Sequence, residues 1–124
     1  MLRCTPMFFE PKRVEKPWGF EVWFAHTDAY VGKLIHVNAG HQLSLQYHVK
    51  KDETMYCLNG DARLVYEKDG ELVEEKFVQG QSVHITPGTK HRLKAGESDC
   101  EVLEASTTEV DDVVRIQDSY GRTP

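Results

Sequence analysis

The sequence predicts an all-β domain, a closed barrel of about six to eight short strands with almost no helix. Three observations carry this expectation. Apolar and polar residues alternate over short stretches, as in Leu43-Ser44-Leu45-Gln46-Tyr47-His48, which is the period of a strand. Turn chemistry interrupts these stretches at Asn59-Gly60, Asp69-Gly70, Gly80 and Pro87-Gly88. No segment sustains a helical period, and only Glu109 to Asp118 is compatible with a short helix as well as a final strand.

With 124 residues, 40% of them hydrophobic and 28% charged, the chain has the length of one domain with a sizeable core. We divide that domain, 1–124, into an N-terminal arm (1–15), the barrel (16–108) and a C-terminal tail (109–124). Fifteen basic against 20 acidic residues give a net charge of −5, which leaves no basic surface for nucleic acid. No apolar run approaches a membrane span, and Met7-Phe8-Phe9 is too short for a secretory core. Three cysteines, Cys4, Cys57 and Cys100, without CxxC spacing, fit a reduced, cytoplasmic protein, with Cys57 as a small core residue.

Pro6 and Pro11 exclude a helix from the arm. Pro17 and Gly19 shape an entry turn into a strand at Phe20 to Phe24, and Val31 to Asn38 form the next. Further strands are expected at Leu43 to His48, Met55 to Leu58, Ala62 to Glu67, Glu71 to Val78, Ser82 to Ile85, His91 to Lys94 and Val102 to Ala105. Asn59-Gly60 and Asp69-Gly70 are read as hairpin turns.

The stretch Gly40 to Gly60 carries the chemistry. Gln46 and His48 lie two apart and project from one strand face together with Ser44. Glu53 follows a polar break, Lys50-Lys51-Asp52, and His91 lies after the second Gly/Pro-punctuated segment. Two imidazoles, a carboxylate and an amide oxygen suit a divalent ion, zinc by preference, with ligand distances of roughly 2.0–2.2 Å and positions left for water or substrate. Manganese, iron and nickel are alternatives. The imidazoles ligate only when neutral, so binding weakens in acid.

These residues resemble the two motifs of the cupin superfamily. The first, Gly, five residues, His-x-His, three or four residues, Glu, six residues, Gly, reads here Gly40, Gln46-x-His48, Glu53, Gly60. The second, Gly, five residues, Pro-x-Gly-x-x-His, reads Gly80, Thr86-Pro87-Gly88-x-x-His91, with Thr86 departing from the pattern in the first Pro position. Gln46 in the first His position resembles the phosphomannose isomerase branch, which implies a metal set of Gln46, His48, Glu53 and His91. Lys16-Pro17-Trp18-Gly19, His91-Arg92-Leu93 and the tail Asp111-Asp112-Val113-Val114-Arg115 with Tyr120-Gly121-Arg122 are similar to further segments of type II phosphomannose isomerase domains. The resemblance implies a cupin jelly-roll barrel and a mannose-6-phosphate isomerase-like activity. Type II enzymes usually carry this domain behind a guanylyltransferase domain. The chain departs from the family at Glu53-Thr54-Met55, where Glu-His-Trp is usual, and at Val49-Lys50-Lys51, where a His/Arg-rich run is frequent.

Aldose–ketose isomerisation moves a proton between C1 and C2 through an enediolate, which a divalent ion stabilises and a general base serves. Lys33, His36 and His84 are the candidate bases. Lys16, Lys33, Arg92 and Arg122 are the candidate phosphate-binding cations, with Lys90 and Arg115 as second choices. Two other classes fit the same motifs: a non-catalytic, metal-dependent sugar or sugar-nucleotide binding cupin, and an iron-dependent cupin dioxygenase, against which Gln46 argues. Open sheet edges and the apolar arm predict a homodimer.

Overall fold

The computed structural model describes residues 7–123. Among them are nine strands and no helix: β1 (Lys12–Lys16), β2 (Gly19–His26), β3 (Val31–Val37), β4 (Leu45–Tyr47), β5 (Glu53–Lys68), β6 (Glu71–Phe77), β7 (Ser82–Ile85), β8 (His91–Ser106) and β9 (Val114–Gln117). All pairings are antiparallel, in one curled sheet ordered β1-β2-β3-β8-β4-β9, with β5 joined to β6, β7 and β8. The fold is the expected all-β cupin jelly roll. Its last strand resolves the choice left open at Glu109 to Asp118, where Val114–Gln117 is extended.

Two 16-residue strands, β5 and β8, replace four shorter ones expected from the turn signals. Asn59-Gly60 is therefore not a hairpin. It lies between two register shifts, Cys57/Asn59 and Gly60/Ala62, where β5 bends but stays paired with β8. Gly60 has φ +89°, and a Cβ there would come within 2.0 Å of the Asp99 carbonyl oxygen, so the bend needs a residue without a side chain. Asp69-Gly70 behaves as expected: both residues have positive φ, 53° and 82°, and the turn joins Lys68 to Glu71 in register. Residues 12–16 of the arm are also strand, closing a hairpin on β2 with Lys16 opposite Gly19. Cys4, Pro6 and the remainder of residues 1–6 lie outside the described residues.

The core gathers Trp18, Ile35, Val37, Met55, Cys57, Ala62, Leu64, Phe77, Ile85, Leu93, Ala95, Cys100 and Val102. These are the inward positions of alternating strands, and each large side chain contributes roughly 1.5–3 kcal/mol by leaving water. Cys57 belongs to this core as expected, and burial pushes its thiol and that of Cys100 up, the latter to about 12. No helix among the described residues is long and apolar enough to cross a membrane.

A candidate metal centre in the barrel

Three expected ligands converge. His48 leaves the end of β4, Glu53 opens β5 and His91 opens β8. The two turns that deliver them are joined by a hydrogen bond from the Gly88 N–H to the His48 carbonyl, 2.7 Å. Nε2 of His48 and Nε2 of His91 each lie 3.0 Å from the same atom, Oε1 of Glu53. All three side chains are buried, and the ring centroids of the two histidines are 5.2 Å apart.

The donor set fits a cation. Nδ1 of His48 faces the Asp112 carbonyl oxygen at 2.6 Å, and Nδ1 of His91 faces the Thr89 carbonyl oxygen at 2.8 Å. A carbonyl only accepts, so each Nδ1 carries a hydrogen and each neutral ring presents the Nε2 lone pair inward. Two imidazole lone pairs and a carboxylate oxygen then point at one another with no donor between them. A divalent ion satisfies that arrangement, and carbonyl partners on the far ring nitrogens are the usual support for metal-bound histidine. His48, Glu53 and His91 are thus a candidate metal-binding triad. Gln46 stands beside them, paired with His91 across β4 and β8. Its amide nitrogen donates to Ser44 Oγ, 3.2 Å, which leaves its carbonyl oxygen free.

The triad sits in a cavity of about 310 Å³ with Trp18, Ile35, Leu43, Met55 and Leu93 among its apolar walls. Its polar lining includes five buried charged groups. Lys51 Nζ lies 3.6 Å from Glu53 Oε2 and 3.2 Å from Glu104 Oε2. Lys33 Nζ lies 3.5 Å from Glu21 Oε1 and 4.3 Å from the centre of the Trp23 ring, whose Nε1–H donates to the same Glu21 oxygen, 2.8 Å. Burial raises Glu104 to about 8, and the neighbouring Glu53 carboxylate adds to the shift while Lys51 and Lys33 oppose it. Burial also works against ionised Glu53, but the hydrogen bond with Glu104, the two facing imidazoles and the Lys51 charge outweigh it, so Glu53 is held well below the usual range. Burial opposes the Lys51 charge as well, and Glu104 and Glu53 more than offset it. The two neighbouring carboxyl groups are thus pushed in opposite directions, Glu104 up and Glu53 down.

The other expected site residues divide. Lys16, Lys33 and Arg122 line the cavity, as does the second-choice Arg115. Arg122 is at the same time clamped to Asp118, its Nε and Nη2 each donating at 2.9 Å. Arg92 does not line it. Its guanidinium is turned into the seam between β4 and β9, donating to the Leu43 carbonyl and to Gln117, because on β8 it lies out of phase with the inward-facing His91 and Leu93. His36 lies on the outer face of β3, stacked on Phe20 and placed between Glu101 (3.0 Å) and Asp99 (3.2 Å). His84 also points outward, 2.7 Å from Asp52. Neither histidine reaches the cavity, because each lies out of phase with its strand's inward residues, Lys33 and Ile35 for His36, Ile85 for His84. The sequence reading missed Glu21, Lys51, Glu104 and Asp112. An acid at an inward position of an apolar alternation was the available signal for Glu21 and Glu104. Asp112 stood in the family-like tail and Lys51 in the polar break, but nothing local to either says that it reaches the site.

Comparison with known proteins agrees with this architecture. The family described as "Mannose-6-phosphate isomerase C-terminal" matches residues 8–118. The xanthan biosynthesis protein XanB of Xanthomonas campestris pv. campestris is 33% identical over 116 residues, covering 90% of this chain and 24% of that protein. The mannose-1-phosphate guanylyltransferase of Escherichia coli K12 is 33% identical over 115 residues, covering 90% of this chain and 23% of that one. The chain thus spans about a quarter of these relatives' length. Among solved structures, the capsular polysaccharide assembling protein CapF of Staphylococcus aureus superposes with a TM-score of 0.76 at 15% identity, over 90% of this chain and 33% of its own. A Bacillus subtilis oxalate decarboxylase with Mn(II) centres gives 0.71 at 20% identity, over 87% and 30%. Identities this low establish the shared fold and nothing of the chemistry. The family match over most of the chain, joined to the buried triad, leads to one conclusion: the chain belongs to the mannose-6-phosphate isomerase C-terminal family.

Proposed function

We propose that this chain is a metal-dependent sugar-phosphate isomerase, mannose-6-phosphate isomerase-like, interconverting an aldose and a ketose phosphate. One observation carries the reading: three lone-pair donors meet within a cavity of about 310 Å³ that also holds two buried lysines. In this reading Gln46, His48, Glu53 and His91 hold a divalent ion, zinc by preference, with manganese, iron or nickel as alternatives. When bound, the ion supplies Lewis acidity toward a substrate oxygen. The chain's own residues do the rest. Lys33, oriented by Glu21 over the Trp23 face, is the proton carrier and anion partner inside the cavity. Lys16 and Arg122, with Arg115, are the cations that meet a phosphate among the lining residues. The apolar walls exclude water and strengthen each of these charges.

The test is direct. Purified protein, stripped and reloaded in turn with zinc, manganese, iron or nickel, is incubated with mannose 6-phosphate, and fructose 6-phosphate is followed by NMR. Metal-dependent interconversion supports the reading; none with any of the four ions rejects it in favour of the second one. That second reading is a metal-dependent sugar or sugar-nucleotide binding domain without catalysis. It is favoured by the placement of His36 and His84 outside the cavity, which leaves no imidazole beyond the triad among the lining residues.

We also infer a homodimer. Met7, Phe8 and Phe9 are 89%, 89% and 57% exposed next to the edge strand β1, an arrangement that a second copy would cover. Sedimentation giving a monomer at micromolar concentration rejects this.

A further inference from the structure

One residue outside the triad touches it from two directions. Asp112 lies in the C-terminal segment ahead of β9. Its carbonyl oxygen takes the His48 Nδ1 hydrogen at 2.6 Å. Its carboxylate accepts three successive backbone N–H groups of the turn between His48 and Glu53: Val49 at 3.0 Å, Lys50 at 2.6 Å and Lys51 at 2.9 Å. These bonds hold Asp112 down to about 2. The same turn carries Lys51, which reaches Glu53 and Glu104. A single residue thus fixes the ring of one candidate ligand and the backbone leading to the next. Its own segment supplies Val110, Asp111, Val113 and Arg115 to the cavity wall, and β9 pairs Arg115 with Gln46.

We propose that Asp112 is a positioning residue that couples metal loading to the C-terminal wall of the cavity. It holds His48 and the 49–51 turn in the ligating arrangement, and a bound ion, by holding His48, fixes the segment that faces the substrate. Linkage makes the two effects reciprocal: whatever factor the Asp112 contacts add to metal affinity, the metal returns as order in the tail. The inference rests on the metal reading above but not on isomerase activity.

The experiment uses the full chain without any sugar phosphate. Zinc affinity is measured by competition with a chromophoric chelator for the wild type, Asp112→Ala, Asp112→Asn and Asp111→Ala. Asp112→Ala keeps the carbonyl that faces His48 but loses the carboxylate that fixes its position against the 49–51 turn, and should bind roughly 10-fold more weakly, the lower end of the range for disturbing a group that orients a metal ligand. Asp112→Asn keeps one carbonyl oxygen for the turn and should fall between. Asp111→Ala removes the same charge from the same wall without these bonds and should change affinity by less than about threefold. The cobalt-substituted protein adds a signature that general destabilisation does not produce, a changed ligand-field spectrum in Asp112→Ala. In the wild type, zinc should slow hydrogen exchange at the Val49, Lys50 and Lys51 amides and proteolysis within 109–118; in Asp112→Ala it should do neither. If Asp112→Ala does not fold, Asp112→Asn and the wild-type exchange data decide. Equal affinities for Asp112→Ala and Asp111→Ala, or no effect of zinc on the tail, overturn the proposal. A wild type that takes up zinc but isomerises nothing removes the isomerase reading and leaves this one standing. A wild type that takes up no divalent ion overturns both.

Discussion

The two long strands, β5 and β8, pass through two different interiors. Glu53 and Glu104 lie where β5 begins and β8 finishes, His91 lies where β8 begins, and the curl of the sheet brings all three to the cavity, together with Lys33, Lys51 and Glu21 from their neighbours. Between these ends the two strands present Cys57, Ala62, Leu64, Ala95, Cys100 and Val102, clustered with Phe77 and Ile85. Both regions are buried, so burial alone does not distinguish them. The apolar region is stabilised by leaving water. The polar region is costly to desolvate, and it persists because its buried charges meet opposite charges or hydrogen-bond partners. A barrel stabilised by one region can carry an expensive constellation in the other, which is the division of labour expected of a binding or catalytic cupin.

Breaking each region separately tests this division. His48→Ala or His91→Ala should abolish stoichiometric metal, read by elemental analysis, while the far-UV circular dichroism stays that of a β protein. A His48→Ala protein with full metal content would place the site elsewhere. Next in size, Lys51→Met leaves Glu53 buried without its cation and should cost the metal-free protein about 3–5 kcal/mol in denaturant unfolding. Saturating zinc should return part of that loss, because the ion compensates the same carboxylate. A loss insensitive to zinc would mean that Lys51 acts on packing alone. In the apolar region, Leu64→Ala should cost about 2–5 kcal/mol, with metal content per folded molecule unchanged. Simultaneous loss of metal would show that the two regions are not independent. The smallest effect is expected at Asp118, which the Arg122 clamp holds down to about 2. A carboxylate depressed in the folded state stabilises above its unfolded pKa, and that contribution disappears as pH falls from about 4 toward 2. Asp118→Asn should therefore lower stability modestly at neutral pH, leave it unchanged near pH 2, and so flatten the acid limb of the profile in thermal melts against pH.

The fold and the triad were legible in sequence for local reasons. Alternation and turn chemistry are set by neighbouring residues, and the spacing Gln46-x-His48 to Glu53 survives because a short turn joins their strands. Asn59-Gly60 shows the limit of that logic. Its hairpin signal is overruled because β8 continues alongside, with Gly60 opposite Cys100, and a bulge satisfies the same positive φ without ending the strand. Parity offered more than was taken from it: Lys33 and His36 have opposite phase on one strand, so both cannot face the interior.

By itself the sequence determined the all-β class, most strand positions, the hairpin at Asp69-Gly70 and the identity of the candidate ligands, since each depends on residues a few positions apart. Only the tertiary structure decided which lysines enter the cavity, that burial pushes Glu104 up, that Arg92 turns into a seam and that Asp112 reaches 64 residues back to His48. Such contacts form when distant strands close a barrel, and the energies that fix them, burial and pairing of charge, exist only once water has been excluded.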